Sequence, residues 1–124
     1  MNATSLRIRI TCGRHGIELP GDFCAAAWLK SKIQPCTLLK LPHHGHPDSM
    51  TEELFTALSP AVTVISVSGD RMDDCPAKAV VDLIRQNHSE LLFTGITPPG
   101  SAKDSTHETV QVVLDQDSLR WSYQ

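Results

Sequence analysis

The sequence lacks several features that would assign it to a common functional class. It has no apolar run of the roughly 18 to 20 residues that a membrane-spanning helix requires. The first residues show no basic segment followed by an apolar stretch, so no secretory signal peptide is predicted. Neither a glycine-rich phosphate loop nor a G-x-S-x-G nucleophile motif occurs. The sequence therefore predicts no membrane segment, nucleotide-binding loop or serine-hydrolase elbow.

An excess of one charge and a cysteine metal motif are also missing. Lys and Arg number 11 against 14 Asp and Glu, the formal net charge is −3, and the two signs are interspersed. A stand-alone DNA-binding protein normally carries a basic patch, which this chain does not have. No two cysteines form a C-x-x-C pair, so we expect reduced, mostly buried thiols in a cytoplasmic protein rather than a cysteine zinc site. The cysteines are Cys12, Cys24, Cys36 and Cys75.

The 124 residues suggest one domain, 1–124, in which strands and helices alternate. Period-two alternation predicts a hairpin near 5–19 and a second, closing hairpin over 110–123. Between them, apolar strands at 37–41, 62–67 and 90–94 alternate with helical segments at 23–32, 49–58 and 76–88. The second helix starts with Ser49 and Glu52 in the spacing of a capping box, and Pro76 suits the first position of the third. The order β-β-α-β-α-β-α-β-β-β predicts an α/β fold with a mixed sheet.

Metal-type ligands follow two of the predicted strands. The run from Leu38 to Leu41 leads into Pro42-His43-His44-Gly45-His46, and the segment at 17–20 leads into Gly21-Asp22. In open α/β sheets, ligands bind beyond the carboxyl ends of strands. Aspartate and histidine together suit Zn, Mn or Fe, so the candidate metal ligands are Asp22, His43 and His44.

Structural roles compete with this interpretation. Asp22 precedes a helical segment and is alternatively its N-cap. His46 lies before Pro47 and is either a solvated loop residue or a replacement ligand. The remaining histidines are expected to be surface residues, and an acidic loop is expected to be solvated rather than to hold a cation. These residues are His15, His88 and His107, and Asp70, Asp73 and Asp74.

The ordered set of motifs resembles the C-terminal half of metallo-β-lactamase-fold hydrolases, especially the ComEC-type branch found in DNA-internalisation proteins. That branch has a hairpin ending in T-G-D, a helix, a strand running into L-K-x-x-H-H-G-S, and a strand that ends in I-S-V. The corresponding segments here are 19–22, 39–45 and 65–67, and the match is strongest over 5–94.

The resemblance implies half of a four-layer αββα sandwich: a mixed sheet, helices on one face and flanking hairpins. It implies that Asp22 is the metal-bridging aspartate and that one of His43 and His44 is the last histidine ligand. The cofactor would be zinc or another divalent transition metal, and the substrates would be esters or phosphodiesters. Nucleic acid is a possible partner only because of this resemblance. The main ligand motif of the family, H-x-H-x-D-H, is absent, and Pro20, His46 and Cys75 replace the family's Thr, Ser and His.

We therefore expect a partial metal-dependent hydrolase that is inactive alone, and whether the chain is an enzyme stays open. A lone half-sandwich would expose an apolar sheet face, which predicts self-association or a partner that supplies the missing half. The alternative is a non-catalytic interaction module that retains the fold. A third interpretation is an unrelated small α/β domain with coincidental histidines.

Overall fold

A computed structural model describes residues 4–67, 75–95 and 109–124. In the first part of the chain, the elements are β1 (Ile8–Cys12), β2 (His15–Leu19), α1 (Ala25–Trp28), β3 (Leu38–Lys40) and a 3₁₀-type turn (Pro42–Gly45). The later elements are α2 (Glu52–Leu58), β4 (Val62–Ser66), α3 (Lys78–Gln86), β5 (Glu90–Thr94), β6 (Val110–Leu114) and β7 (Leu119–Tyr123). No helix in the described ranges is long and apolar enough to cross a membrane.

The main sheet has five strands in the spatial order β1-β2-β3-β4-β5. The β1–β2 hairpin is antiparallel, whereas β2, β3, β4 and β5 run parallel to one another. Parallel neighbours require crossovers, and the helices α1, α2 and α3 lie in the three crossovers from β2 to β5. The predicted element order and the mixed α/β sheet are confirmed. The sheet places the carboxyl ends of β2 to β5 along one edge.

The three helices pack on one face of this sheet and enclose the core. Alternate residues of the strands, such as Leu39 and Ile65, are 0% exposed and contact the helical side chains. The largest of the fully buried side chains are Trp28, Phe55 and Phe93. Removing this apolar area from water is the main stabilising contribution to the fold.

The opposite face of the sheet carries the β6–β7 hairpin. Arg14, in the β1–β2 turn, donates a hydrogen bond to the carbonyl of Asp117 at 2.9 Å. At the other end, the backbone N–H of Phe93 in β5 donates to the hydroxyl of Tyr123 at 3.3 Å. The C-terminal hairpin thus covers part of the sheet face that the sequence predicted to be exposed. Ile8 and Ile10 remain 45% and 46% exposed.

The starts of helices α1 and α2 differ from the sequence predictions, which assigned a short polar side chain as the N-cap of each. Helix α1 has only four residues and its N-cap is Cys24, so the alternative role of Asp22 as the helix cap is wrong. Helix α2 is capped by Thr51, whose hydroxyl accepts from the N–H of Leu54 at 3.2 Å; the predicted capping box at Ser49 is wrong. Sequence spacing marks a helix start only approximately, because several Ser, Thr or Asp residues near it can accept the free N–H groups.

Two further expectations fail at helix α3 and at the first hairpin. Helix α3 starts at Lys78 after the N-cap Ala77, so Pro76 precedes the helix rather than opening it. In the first hairpin, the two glycines in the segment 12–16 predict a loop of about five residues, but β1 ends at Cys12 and β2 starts at His15, so the connection is shorter. Gly13 lies in this tight turn with φ +56, a conformation that glycine adopts without steric cost.

Candidate metal centre

A left-handed turn follows β3 at the carboxyl edge of the sheet. His43 (φ 46, ψ 40) and His44 (φ 55, ψ 22) have positive φ, and Gly45 follows at φ 80. A left-handed conformation costs about 1–2 kcal/mol for a residue with a Cβ, so two histidines in this region store strain. Such strain persists only where the surroundings fix it, and it clusters at functional sites.

The surroundings fix this turn from both sides. The N–H of His43 donates to the carbonyl of Gly21 at 3.0 Å, which ties the turn to the end of β2. The N–H of Ala77 donates to the carbonyl of Gly45 at 2.9 Å, which ties it to the start of α3. The ends of β2 and β3 therefore meet at this turn.

The turn brings two histidines and one aspartate together. Ligand atoms of His43, His46 and Asp48 lie within 4.8 Å of one another. Oδ1 of Asp48 is 2.7 Å from Nδ1 of His46 and 3.4 Å from Nδ1 of His43. The two imidazole rings stack at 4.6 Å between centroids, with an interplanar angle of 18°. The arrangement is a compact cluster of two nitrogen donors and one oxygen donor.

Hydrogen bonding in the cluster is incomplete. Nδ1 of His46 donates to Oδ1 of Asp48, because a carboxylate oxygen only accepts. Nδ1 of His43 is buried and has no hydrogen-bond partner among the described residues; its 3.4 Å approach to Asp48 is too poorly aligned to count as one. A buried, unpaired nitrogen is costly, and an ion bound there would satisfy it.

The charge of Asp48 is stabilised by its neighbours. Partial burial alone would raise the pKa of this carboxyl, but the hydrogen bond from His46 and the electrostatic influence of His46 and His43 outweigh it and hold the pKa below its usual range. The carboxylate is therefore in the charged form that metal ligation requires.

The cluster has the donor types of a zinc site and, at one of its donor pairs, the spacing of one. With bonds of about 2.0–2.2 Å, the donors of a tetrahedral site lie about 3.3–3.6 Å apart. The 3.4 Å separation between His43 Nδ1 and Asp48 Oδ1 lies in that range, whereas the 2.7 Å separation between His46 Nδ1 and Asp48 Oδ1 is a hydrogen-bond distance that would lengthen when an ion binds. Three protein ligands also leave one tetrahedral position open, as in catalytic rather than structural zinc sites.

His44 lies outside this cluster and points elsewhere. Its Nδ1 is 2.6 Å from the carbonyl of Ser66 at the end of β4, to which it donates. This bond leaves the lone pair of Nε2 free on an exposed ring. Metal-ligating histidines commonly donate their other N–H to a backbone carbonyl, so this orientation suits a ligand.

Asp22 is likewise outside the cluster, although its backbone adjoins the turn through Gly21. Its N–H donates to the hydroxyl of Ser5 at 3.0 Å. Its charge acts on Lys40: burial lowers the pKa of the Lys40 ammonium below its usual range, and Asp22 partly counters that shift. A metal ion shared by Asp22 and His44 stays a prediction.

Sequence reasoning missed Asp48 and treated His46 only as one alternative. The available signal was the H-x-x-H-x-D spacing from His43 to Asp48 within a loop that also contains Gly45 and Pro47. Short His-rich tracts are typical of metal binding. In a loop, however, the spacing of residues does not determine which way their side chains point, as it does on a helix. The turns closed by Ser49 N–H to His46 and by His46 N–H to His43 direct these side chains together.

The other polar residues singled out in the sequence have structural positions or lie outside the described residues. His15 is not a surface residue: it is 8% exposed, and its Nδ1 is 3.1 Å from the hydroxyl of Thr37. His88 is exposed, as expected. The residues outside the described ranges are His107, Asp70, Asp73 and Asp74. None of the four cysteines is in a disulfide bond, and Cys24 and Cys36 are buried.

No model of a known protein family matches the chain, and no curated protein matches it.

Proposed function

We propose that this chain is the metal-binding part of a metal-dependent hydrolase of the ester or phosphodiester class. The observation that supports the proposal is the convergence of His43, His46 and Asp48 within 4.8 Å at the carboxyl edge of a parallel sheet. The ion is zinc or another divalent transition metal, since two imidazoles and a carboxylate form a borderline donor set.

The donors have separate tasks in this proposal. His43 and His46 present nitrogen atoms, and Asp48 supplies the negative charge that partly neutralises the ion. An ion bound there would supply Lewis acidity. His44, fixed by Ser66, directs a free Nε2 at solvent on the same turn, where it suits a second ion or a substrate group.

The isolated chain is proposed to be inactive because it lacks the H-x-H-x-D-H motif that the resemblance implies for the remaining ligands. The missing part would come from another polypeptide segment or from a second copy. Its docking surface would be the sheet face that the C-terminal hairpin covers only in part, where Ile8 and Ile10 are exposed.

Zinc titration by calorimetry, with a parallel assay of bis(p-nitrophenyl) phosphate hydrolysis, tests the proposal. We expect the chain to bind about one zinc ion. His46→Ala should lower the zinc affinity by at least about 100-fold, because the loss of a metal ligand costs more than the loss of a residue that only orients a ligand. His88→Ala is the matched control, since His88 is exposed at the end of α3. Hydrolysis should stay at background. Strong turnover by this chain alone would refute the incompleteness, and absence of zinc binding would refute the metal site.

A second candidate function is a non-catalytic interaction module. The exposed apolar side chains Leu6, Ile8 and Ile10 favour it, at 73%, 45% and 46% exposure. Light scattering after size-exclusion chromatography tests it: the module predicts self-association that Ile10→Glu weakens and that EDTA leaves unchanged. A monomer at all concentrations, together with tight zinc binding, would favour the first candidate.

A further inference from the structure

The C-terminal hairpin bridges a cavity on the sheet face opposite the helices. The hairpin is held at one end by Tyr123 against β5 and at the other by the contact of Arg14 with Asp117. Between these two supports, the hairpin and the sheet leave a partly open cavity of about 240 Å³. The two anchors explain why the space is not closed: β6 and β7 rest on the sheet at their ends and span it in the middle.

The cavity is lined almost entirely by apolar side chains. Leu19, Leu38 and Val64 line it from the sheet, and Val110 and Val112 line it from the hairpin. An apolar cavity of about 150 Å³ stays dry and accepts a benzene ring, so a larger one accepts a larger apolar group. The space on this protein is larger than that, so it accepts a short hydrocarbon chain.

One cation breaks this apolar lining. Lys40 lines the cavity from the end of β3 and is half-buried. Within the described residues, its ammonium makes neither a hydrogen bond nor an ion pair within 4 Å. Asp22 lies near enough to act on its charge, but not as a bonded partner. A partly desolvated ammonium without a bonded anion is unfavourable, and a carboxylate from a ligand would relieve this cost.

We propose that this cavity binds a small aliphatic carboxylate, with its hydrocarbon chain between the sheet and the hairpin and its carboxylate paired with Lys40. The lining residues select a linear apolar chain, and the single cation selects a monoanion over a neutral molecule. This site is separate from the metal cluster: none of His43, His46 and Asp48 lines the cavity.

Octanoate is the probe, titrated into methyl-labelled protein in the presence of EDTA and followed by nuclear magnetic resonance. EDTA removes any metal, so failure here leaves the proposed zinc site untouched. We expect the methyl signals of Val64, Val110 and Val112 to shift in a saturable way. Lys40→Gln should weaken octanoate binding by about 10-fold or more, because a charge-assisted hydrogen bond is worth about 1.5–3 kcal/mol. Lys32→Gln, at an exposed lysine, should leave it unchanged.

Two further measurements separate the parts of the proposal. The neutral analogue 1-octanol should bind more weakly than octanoate to the wild type and equally to wild type and Lys40→Gln. Val112→Phe, which fills the cavity without touching the cation, should abolish binding of both. Absence of saturable shifts at the three valines would overturn the site, and equal octanoate affinity in wild type and Lys40→Gln would overturn the pairing with the cation.

Discussion

Gly45 offers the sharpest test of how the left-handed turn is built. At φ +80, a Cβ on this residue would lie 2.8 Å from Cβ of Pro76, 3.1 Å from its Cα and 3.2 Å from Cδ2 of Leu41. The first of these distances is shorter than Cβ contacts in real proteins, and the neighbours belong to a rigid ring and to a buried leucine. Either the turn or the start of α3 must shift in Gly45→Ala.

The magnitude follows from two contributions. The left-handed conformation costs an alanine about 1–2 kcal/mol. Inserting a methyl group into a packed site costs about 1–3 kcal/mol more. Gly45→Ala should therefore lower the free energy of unfolding by about 2–5 kcal/mol. Because His43 precedes Gly45 in the same turn, zinc affinity should fall as well.

Urea unfolding followed by circular dichroism measures the stability, and zinc calorimetry measures the site. Gly95→Ala is the matched control: Gly95 has φ 84 but is exposed, so it should lose only the conformational contribution. If Gly45→Ala unfolds at the same urea concentration as Gly95→Ala and binds zinc as the wild type does, the turn is not held against α3 as described.

Three further predictions concern single side chains. Burial raises the pKa of the Cys36 thiol to about 12, so at pH 8 its reaction with a disulfide reagent should be about 10³-fold slower than that of an ordinary thiol. Cys12, which is half-exposed, is the internal comparison, and equally fast labelling of both would contradict the burial. Lys40→Met should raise the melting temperature at neutral pH, because burial lowers the folded-state pKa of Lys40 below its ordinary value of 10.5. Between the folded-state and unfolded-state pKa values of Lys40, the unfolded state binds more protons, so the stability of the wild type should rise with pH. The gain in melting temperature from Lys40→Met should therefore shrink in that pH range. A gain that does not change with pH would contradict a lowered pKa of Lys40. Thr51→Ala should cost about 1 kcal/mol as the loss of a helix cap, whereas Ser49→Ala should be neutral or stabilising, because the Ser49 hydroxyl is buried without a hydrogen-bond partner in the described residues. The opposite ranking in urea unfolding would restore the capping box at Ser49.

The sequence was sufficient for the order of the elements because its signals are periodic. Alternation in the hairpins and apolar runs such as Val62 to Ser66 define strands without reference to the rest of the chain. The position of the candidate cluster after β3 also follows from a general rule, since chemistry-bearing residues beyond a parallel strand meet at one edge.

The sequence could not predict which residues form the cluster. Their positions depend on the left-handed turn, and such a turn leaves no periodic pattern in the sequence. The left-handed values at His43 and His44 point the two side chains in different directions, one to Asp48 and the other to Ser66. A pattern of neighbouring histidines suggests that both face one ion. Only the turn geometry separates them and brings His46 and Asp48 to His43.

Zinc K-edge X-ray absorption on the loaded protein, wild type against His46→Ala, tests the central claim most directly. The wild type should show two imidazole nitrogens at about 2.0–2.1 Å and a carboxylate oxygen at about 2.0–2.2 Å, with no sulfur at about 2.3 Å. His46→Ala should lose one imidazole from that shell. A sulfur in the wild-type shell, or an unchanged shell in His46→Ala, would contradict a metal site formed by His43, His46 and Asp48.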